Sequence, residues 1–337
     1  MKTSLSLLAL TVALASGSGS CLVWASEDEK VQLDGYAEWH QDGEPELLIV
    51  DGQRVRVSES TKFEGSGAAY GLDSIPLGYE VQVKGIRLDD GTVLAHELHA
   101  KPNGNAFMEG SLRAEFDELE AQFRRRGHVF FSDEDFGALW QEGEEVERVR
   151  TIASRLSPPY MDFQAFRVYV IDNPEWNAMA APNGSIYVFR GLLQNMDDDE
   201  VAIVLGHELA HVTHEHSRRH FKRDLLLAAL QSGALLAADE IDNRGARVAV
   251  KGLTIAGTLA WTNGYGRSRE DQADRVGLRY AYQAGYDVRK GPALWERFAK
   301  KYGGLPKPLN FFLGGHSVAK DRAANLEEEL ARNYSLD

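Results

Sequence analysis

The reading turns on residues 197–216, DDDEVAIVLGHELAHVTHEH. Asp197-Asp198-Asp199-Glu200 stand before an apolar run, and acidic side chains at a helix start cap free N–H groups and complement the helix dipole. The pattern predicts a helix from Val201 to about His216. His207 and His211 lie one turn apart in it, so at about 100° per residue their side chains point within about 40° of each other. Both imidazoles can therefore reach one metal ion, and Glu208 beside them is placed to take a proton from water. The bland alternative is a helix with two surface histidines. Val201, Val204, Leu205, Leu209 and Val212 argue against it, because they make the helix apolar on most sides and would bury His207 and His211 without partners unless a cation explains them.

A zinc site with an open catalytic position needs a third protein ligand. A third histidine soon after the helix is one source, but the position it would occupy is Ser217. His214, His216 and His220 read instead as polar helix surface. A second helix is the other source. In Ser268-Arg269-Glu270-Asp271-Gln272-Ala273-Asp274, Glu270 and Asp274 are one turn apart on a common face, so Glu270 can bind the metal while Asp274 accepts a hydrogen bond from a ligating imidazole. Two stripes of small residues suggest how the helices meet: Ala202, Gly206 and Ala210 on the first, and Ala273, Gly277 and Ala281 on the second. Close packing of these stripes would carry Glu270 to the histidines.

Outward from this centre the chain changes character. A strand-like stretch Phe166–Val170 precedes Asn177-Ala178-Met179-Ala180, the turn Pro182-Asn183-Gly184 and a second strand, Ser185, Ile186, Tyr187, Val188 and Phe189. As a sheet edge, that second strand would offer backbone groups to an extended peptide. Charged helical sequence runs from about Leu112 to Arg155, and the basic run at 124–126 reads as solvated helix surface. Residues 31 to about 100 hold short strand-like runs at Leu47–Val50, Arg54–Val57, Tyr79–Val83 and Thr92–Ala95, separated by Asp51-Gly52, Gly78 and Asp90-Gly91. Short strands at regular spacing predict a small barrel. His96-Glu97-Leu98-His99 echoes a metal motif, but alternation on a strand sends His96 and Glu97 to opposite faces.

The start of the chain reads as an export signal: Met1-Lys2, an apolar core over Leu5–Ala15, small residues after it, and a cleavage site after Ala25. Cys21 offers lipid anchoring as the alternative to a freely periplasmic protein. With 337 residues, of which 43% are hydrophobic, the chain can build about two globular domains. Its formal net charge of −14 argues against a nucleic-acid partner, which would need clustered Lys and Arg. Leu225–Ala238 and Val248–Trp261 fall short of the ~18 to 20 apolar residues that span a bilayer, so they read as core helices with peripheral membrane contact as a minor option.

Taken together, NAMAAPNGSIYVFRGLL, DDDE, HELAHVTHEH, SREDQADRVG followed by AGYD, and His316 with Arg322 closely resemble metallopeptidase family forty-eight, a group of gluzincins, over roughly residues 110–335. The resemblance implies one zinc ion per chain held by His207, His211 and Glu270, with Glu208 as catalytic base, Asp274 behind the ligands, and His316 and Arg322 lining the site. His316 would support the charge that develops on the substrate carbonyl. Asn183 stands where the family usually has glycine, and Ser317 where it often has proline. Residues 31–100 resemble, in strand-and-glycine rhythm alone, an OB-like domain of unknown function from bacterial exported proteins.

The expected fold is α+β, with a small all-β OB-like barrel before a mainly helical zinc-peptidase domain that contains a small sheet. The expected segments are 1–25 signal peptide, 26–104 barrel and 105–337 peptidase. The expected function is a zinc metalloendopeptidase acting on unfolded or extended polypeptides in periplasmic quality control. A binding or chaperone-like protein that keeps the zinc fold is the rival reading, and an intact Glu208 favours the enzyme.

Overall fold

The computed structural model describes residues 29–65, parts of 71–78, 80–101, 106–125, 137–158, 166–216, 267–302 and 319–336, apart from single positions at 42, 182 and 215. Residues 1–25, expected to be an export signal, with Cys21 among them, and His220 and His316 lie outside the described residues.

Six strands form the first sheet: Glu29–His40 (β1), Leu47–Val50 (β2), Gln53–Arg56 (β3), Lys62–Gly65 (β4), Glu80–Arg87 (β5) and Val93–Lys101 (β6). Their order is β3-β2-β1-β5-β6-β4, and β3 also pairs with β6 at Val55↔Val93 and Arg56↔Leu94. That extra pairing closes five strands into a barrel, with β4 continuing along β6. The interior holds Leu48, Val50, Val55, Val81, Val83 and Leu98, the inward half of the alternation expected of strands with one buried face. β2 and β3 are joined by Asp51 and Gly52, both in the left-handed region at φ 45° and 73°, which suits the tight turns that join hairpin strands. The strand-like runs read between residues 31 and 100 fall mainly on β2, β3, β5 and β6, and His96 is exposed on β6.

Helix α1 (Ala106–Arg125) follows, then β7 (Leu139–Trp140) and α2 (Glu144–Leu156). A second sheet joins β7 to β8 (Arg167–Ile171), β9 (Ala178–Ala180) and β10 (Ser185–Phe189). Its order is β7-β8-β10-β9, with β10 parallel to β8 and antiparallel to β9. Phe116 of α1 packs on one face with Met179, Tyr187 and Phe189. Val168, Val170, Ile186 and Val188 meet α2 and the later helices on the other. The fold is thus α+β, as the sequence predicts.

Two expectations fail here. Ser185–Phe189 is not an edge: it is bonded to a strand on each side and every residue in it is buried. A continuous apolar run is what a strand with both faces covered requires. Nor is Arg124 simply solvated, since its guanidinium lies 4.0 Å from the centre of the Tyr169 ring and pairs with Glu120.

The remaining described elements are α3 (Arg190–Asn195), α4 (Asp198–Thr213), α5 (Arg267–Gln283), α6 (Gly291–Tyr302) and α7 (Ala319–Asn333). α4 begins in a capping box: Asp197 accepts from the backbone N–H groups of Asp199 and Glu200, and Glu200 accepts from that of Asp197. Lys290 bonds Asp197 and Asp199 at 2.8 and 2.6 Å, which anchors the helix start to the chain just before α6. The small-residue stripes do bring α4 and α5 together. A Cβ on Gly206 would lie 2.4 Å from the Gly277 carbonyl oxygen, and one on Gly277 would lie 2.4 Å from the His207 backbone nitrogen. Only glycine fits at either place.

Candidate metal centre

α4 contributes His207, Glu208 and His211, and α5 contributes Glu270, all at most 1% exposed. Without the Gly206–Gly277 contact the two helices could not approach so closely. The His207 and His211 Nε2 atoms are 3.0 Å apart, and Glu270 oxygens lie 3.5 and 3.6 Å from them respectively. A tetrahedral zinc ion with bonds of 2.0–2.1 Å sets its donors about 3.3 Å apart, so two imidazole nitrogens with a carboxylate whose Oε2 faces one and Oε1 the other suit three positions around such an ion. They are the only group of this kind among the described residues.

The other nitrogen of each imidazole is engaged. His207 Nδ1 lies 2.9 Å from Asp274 Oδ1, a contact that favours the tautomer with its lone pair on Nε2, the atom that faces His211 and Glu270. Arg322 on α7 grips Asp274 at both oxygens, at 2.8 and 2.5 Å, and lies 3.5 Å above the Trp295 ring. Burial alone would raise the Asp274 carboxyl, but Arg322 and His207 override it and hold it below the usual carboxylate range. Burial and the Arg322 charge draw His207 downward, yet Asp274 and Glu270 outweigh them and push it up to about 9.

His211 Nδ1 meets His216 Nδ1 at 2.8 Å. This corrects the reading of His214 and His216 as helix surface, because both are fully buried. α4 ends at Thr213, with His214 as its cap, and His216 lies beside His211. Thr213 Oγ1 lies 3.0 Å from His214 Nδ1 and 2.9 Å from the Tyr280 hydroxyl. No Gly or Pro marks this helix end, so the sequence offered little sign of it.

Arg322 sits behind the donors, touching Asp274 and His207. Asn183 belongs elsewhere: its amide bonds Asp117 and Glu120 at 3.0 and 3.1 Å, tying α1 to the turn before β10. The side chain that replaces the family's glycine thus serves the far face of the sheet, and Gly184 takes the left-handed position at φ 84°.

Among the described residues this sheet has two edge strands, β7 and β9, and β9 is the one that packs against α4. Asn177 immediately precedes it, is 2% exposed, and makes no side-chain hydrogen bond among the described residues. A buried amide of this kind is a signal that strand periodicity alone does not reveal.

Comparison with known proteins agrees with this geometry. Residues 35–99 match a domain of unknown function, DUF5666, and residues 141–330 match Peptidase family M48. The chain is 34% identical over 166 residues to the mitochondrial metalloendopeptidase OMA1 of Bos taurus, covering 48% of this chain and 31% of that protein. It is 27% identical over 165 residues to the beta-barrel assembly-enhancing protease of Escherichia coli K12, covering 48% and 33%. The chain spans about a third of the length of these curated relatives. The match at 141–330 takes in more than half of the chain and every described donor of the metal site, and on that ground the chain belongs to Peptidase family M48, the zinc-dependent metallopeptidases.

Proposed function

We propose that this protein is an exported zinc metalloendopeptidase that cuts unfolded or extended polypeptides in the bacterial periplasm, as part of envelope quality control. The observation that carries the proposal is the buried cluster in which His207 and His211 Nε2 lie 3.0 Å apart and each faces one oxygen of Glu270, at 3.5 and 3.6 Å, with the second nitrogen of each imidazole already engaged. His207, His211 and Glu270 hold the zinc. When bound, zinc polarises the scissile carbonyl and makes water more acidic. Glu208 takes the proton from the attacking water and passes it to the leaving amine. Asp274, held by Arg322, keeps His207 in its ligating tautomer. His316 stays in the proposal as a donor to the carbonyl oxygen, on sequence resemblance alone.

The periplasmic setting is supported by the export signal and by the similarity to a beta-barrel assembly-enhancing protease. No helix among the described residues is long and apolar enough to cross a membrane. Residues 26–104 and 105–337 form the two functional segments of this reading.

The peptide lies along β9 instead of β10, because β9 has a side that no described strand covers and, unlike the other edge β7, packs against the helix that carries the histidines. Backbone pairing of this kind reads few side chains, so specificity is broad. Asn177 donates to, or accepts from, the peptide backbone. Asn177→Ala then lowers kcat/KM about tenfold, the scale of one lost hydrogen bond, without lowering the melting temperature. A destabilised variant with unchanged kcat/KM would assign Asn177 to structure. The proposal as a whole is tested by incubating the purified protein with unfolded casein. Cleavage that a chelator stops and Glu208→Gln abolishes is expected; cleavage that survives both would refute it.

A further inference from the structure

A chain of hydrogen bonds leaves the metal centre and enters the barrel. His211 Nδ1 meets His216 Nδ1 at 2.8 Å, and His216 Nε2 meets Gln272 Oε1 at 2.9 Å. The Gln272 amide nitrogen then donates to Glu38 Oε1 at 3.0 Å and to Asp51 Oδ1 at 2.7 Å. Gln272 belongs to α5, whereas Glu38 lies on β1 and Asp51 in the β2–β3 turn.

Seen from the barrel, and with His216 neutral, each donor direction follows from the one before it. Ionised carboxylates only accept hydrogen bonds, so the end of Gln272 that faces Glu38 and Asp51 must be its NH2 group. Its carbonyl oxygen consequently faces His216 and needs a donor, so His216 carries its hydrogen on Nε2. A neutral imidazole protonated there has a bare Nδ1, which accepts from His211 Nδ1–H. His211 is left with its Nε2 lone pair, the atom that faces His207 and Glu270. Turning the Gln272 amide over would set its oxygen against two carboxylates and its NH2 against the His216 N–H.

The barrel end of this chain is firmly built. Glu38 is 1% exposed, accepts from the Gly52 backbone at 3.1 Å and pairs with Arg275 at 2.7 Å. Asp51 also accepts from the Tyr36 backbone at 3.0 Å. Gly52, at φ 73°, is pressed so close that a Cβ would lie 2.9 Å from Arg275 Nε. His216 and Gln272 are both buried.

We propose that the barrel is a working part of the metal centre: Glu38 and Asp51 are positioning residues that, through Gln272 and His216, hold His211 in the tautomer that binds metal. The inference rests on the reading of His211 as a zinc ligand through Nε2. The two barrel residues lie outside the segment that matches the peptidase family, so the arrangement belongs to this pairing of domains.

The test is a zinc titration of the full chain against a competing chelator, together with 15N spectra of its labelled histidines. The variants are Gln272→Leu, the isosteric pair Glu38→Gln with Asp51→Asn, and Arg54→Ala. Arg54 reaches Asn333 at 3.4 Å across the same domain interface but takes no part in the chain, so it controls for loosened docking. Zinc should bind about tenfold or more weakly in the first two, a typical loss when the partners behind a ligand are removed, and Arg54→Ala should match the wild type. His216 should show a protonated Nε2 and a bare Nδ1 in the wild type, and a tautomer mixture in the first two variants. Should Gln272→Leu fail to fold, the isosteric pair carries the test. Unchanged zinc affinity and an unchanged His216 pattern in the variants that fold would overturn this inference alone. Equal zinc binding by His211→Ala and the wild type would overturn the metal assignment beneath it.

Discussion

The two imidazoles of the metal centre lie one turn apart on the same helix, yet the protein restrains them in opposite ways. Behind His207 stand charges: Asp274 and Arg322, both buried, with Trp295 beneath the guanidinium. Behind His211 stand His216 and Gln272, and beyond them the barrel carboxylates. The first arrangement is closed within the peptidase segment and is strong because opposite charges meet out of water. The second is long and passes its orientation from one group to the next, so it depends on another domain. A metal ligand can evidently be fixed by one ion pair close by or by several hydrogen bonds in series.

The sharpest way to break the comparison is on the charged side. Arg322→Met removes the cation that holds Asp274 and leaves its buried carboxylate without a counter-charge, at an expected cost of about 3–5 kcal/mol. Chemical denaturation should show it, and a loss below 1 kcal/mol would mean that Arg322 is not the main support of that side. Gly277→Ala acts on both sides at once, because α5 carries Glu270, Gln272 and Asp274. The added methyl must push α5 away from α4, costing about 1–3 kcal/mol and weakening zinc retention together with stability. Normal stability and zinc affinity in that variant would show that the helices are not held at the spacing described.

The smallest effect belongs to the barrel side and is seen through pH. Burial first, and Glu38 next, push the Asp51 carboxyl up from its ordinary 3.8 to about 6. A group with a raised pKa in the folded state contributes most below its unfolded pKa, and that contribution is lost as pH rises through the folded value. The melting temperature of the wild type minus that of Asp51→Asn should therefore grow more positive as pH falls from 7 to 4.5. A difference that stays flat over that window would remove Asp51 from the charged junction.

Much of the charged side could be read from the sequence. The spacing of His207 and His211, the pairing of Glu270 with Asp274, and the matching small-residue stripes are local patterns with one geometric outcome. The barrel strands were legible too, since alternation and Asp51-Gly52 mark them directly. The other side of the site was not. Nothing near Thr213 signals the end of α4, so His216 looked like one more residue on the helix, and Glu38 in Tyr36-Ala37-Glu38-Trp39 resembles any strand residue until the barrel docks. The interior place of β10 depends on which strand lies beyond it, a fact of topology, although the unbroken apolar run Ser185–Phe189 pointed that way.

The most direct measurement of the central claim is zinc content in the purified protein and two variants. Wild type and Glu208→Gln should each hold about one zinc ion per chain, and Glu270→Ala should hold none, because Glu270 supplies a ligand atom whereas Glu208 acts on water. Equal zinc in all three would contradict the assignment of this site.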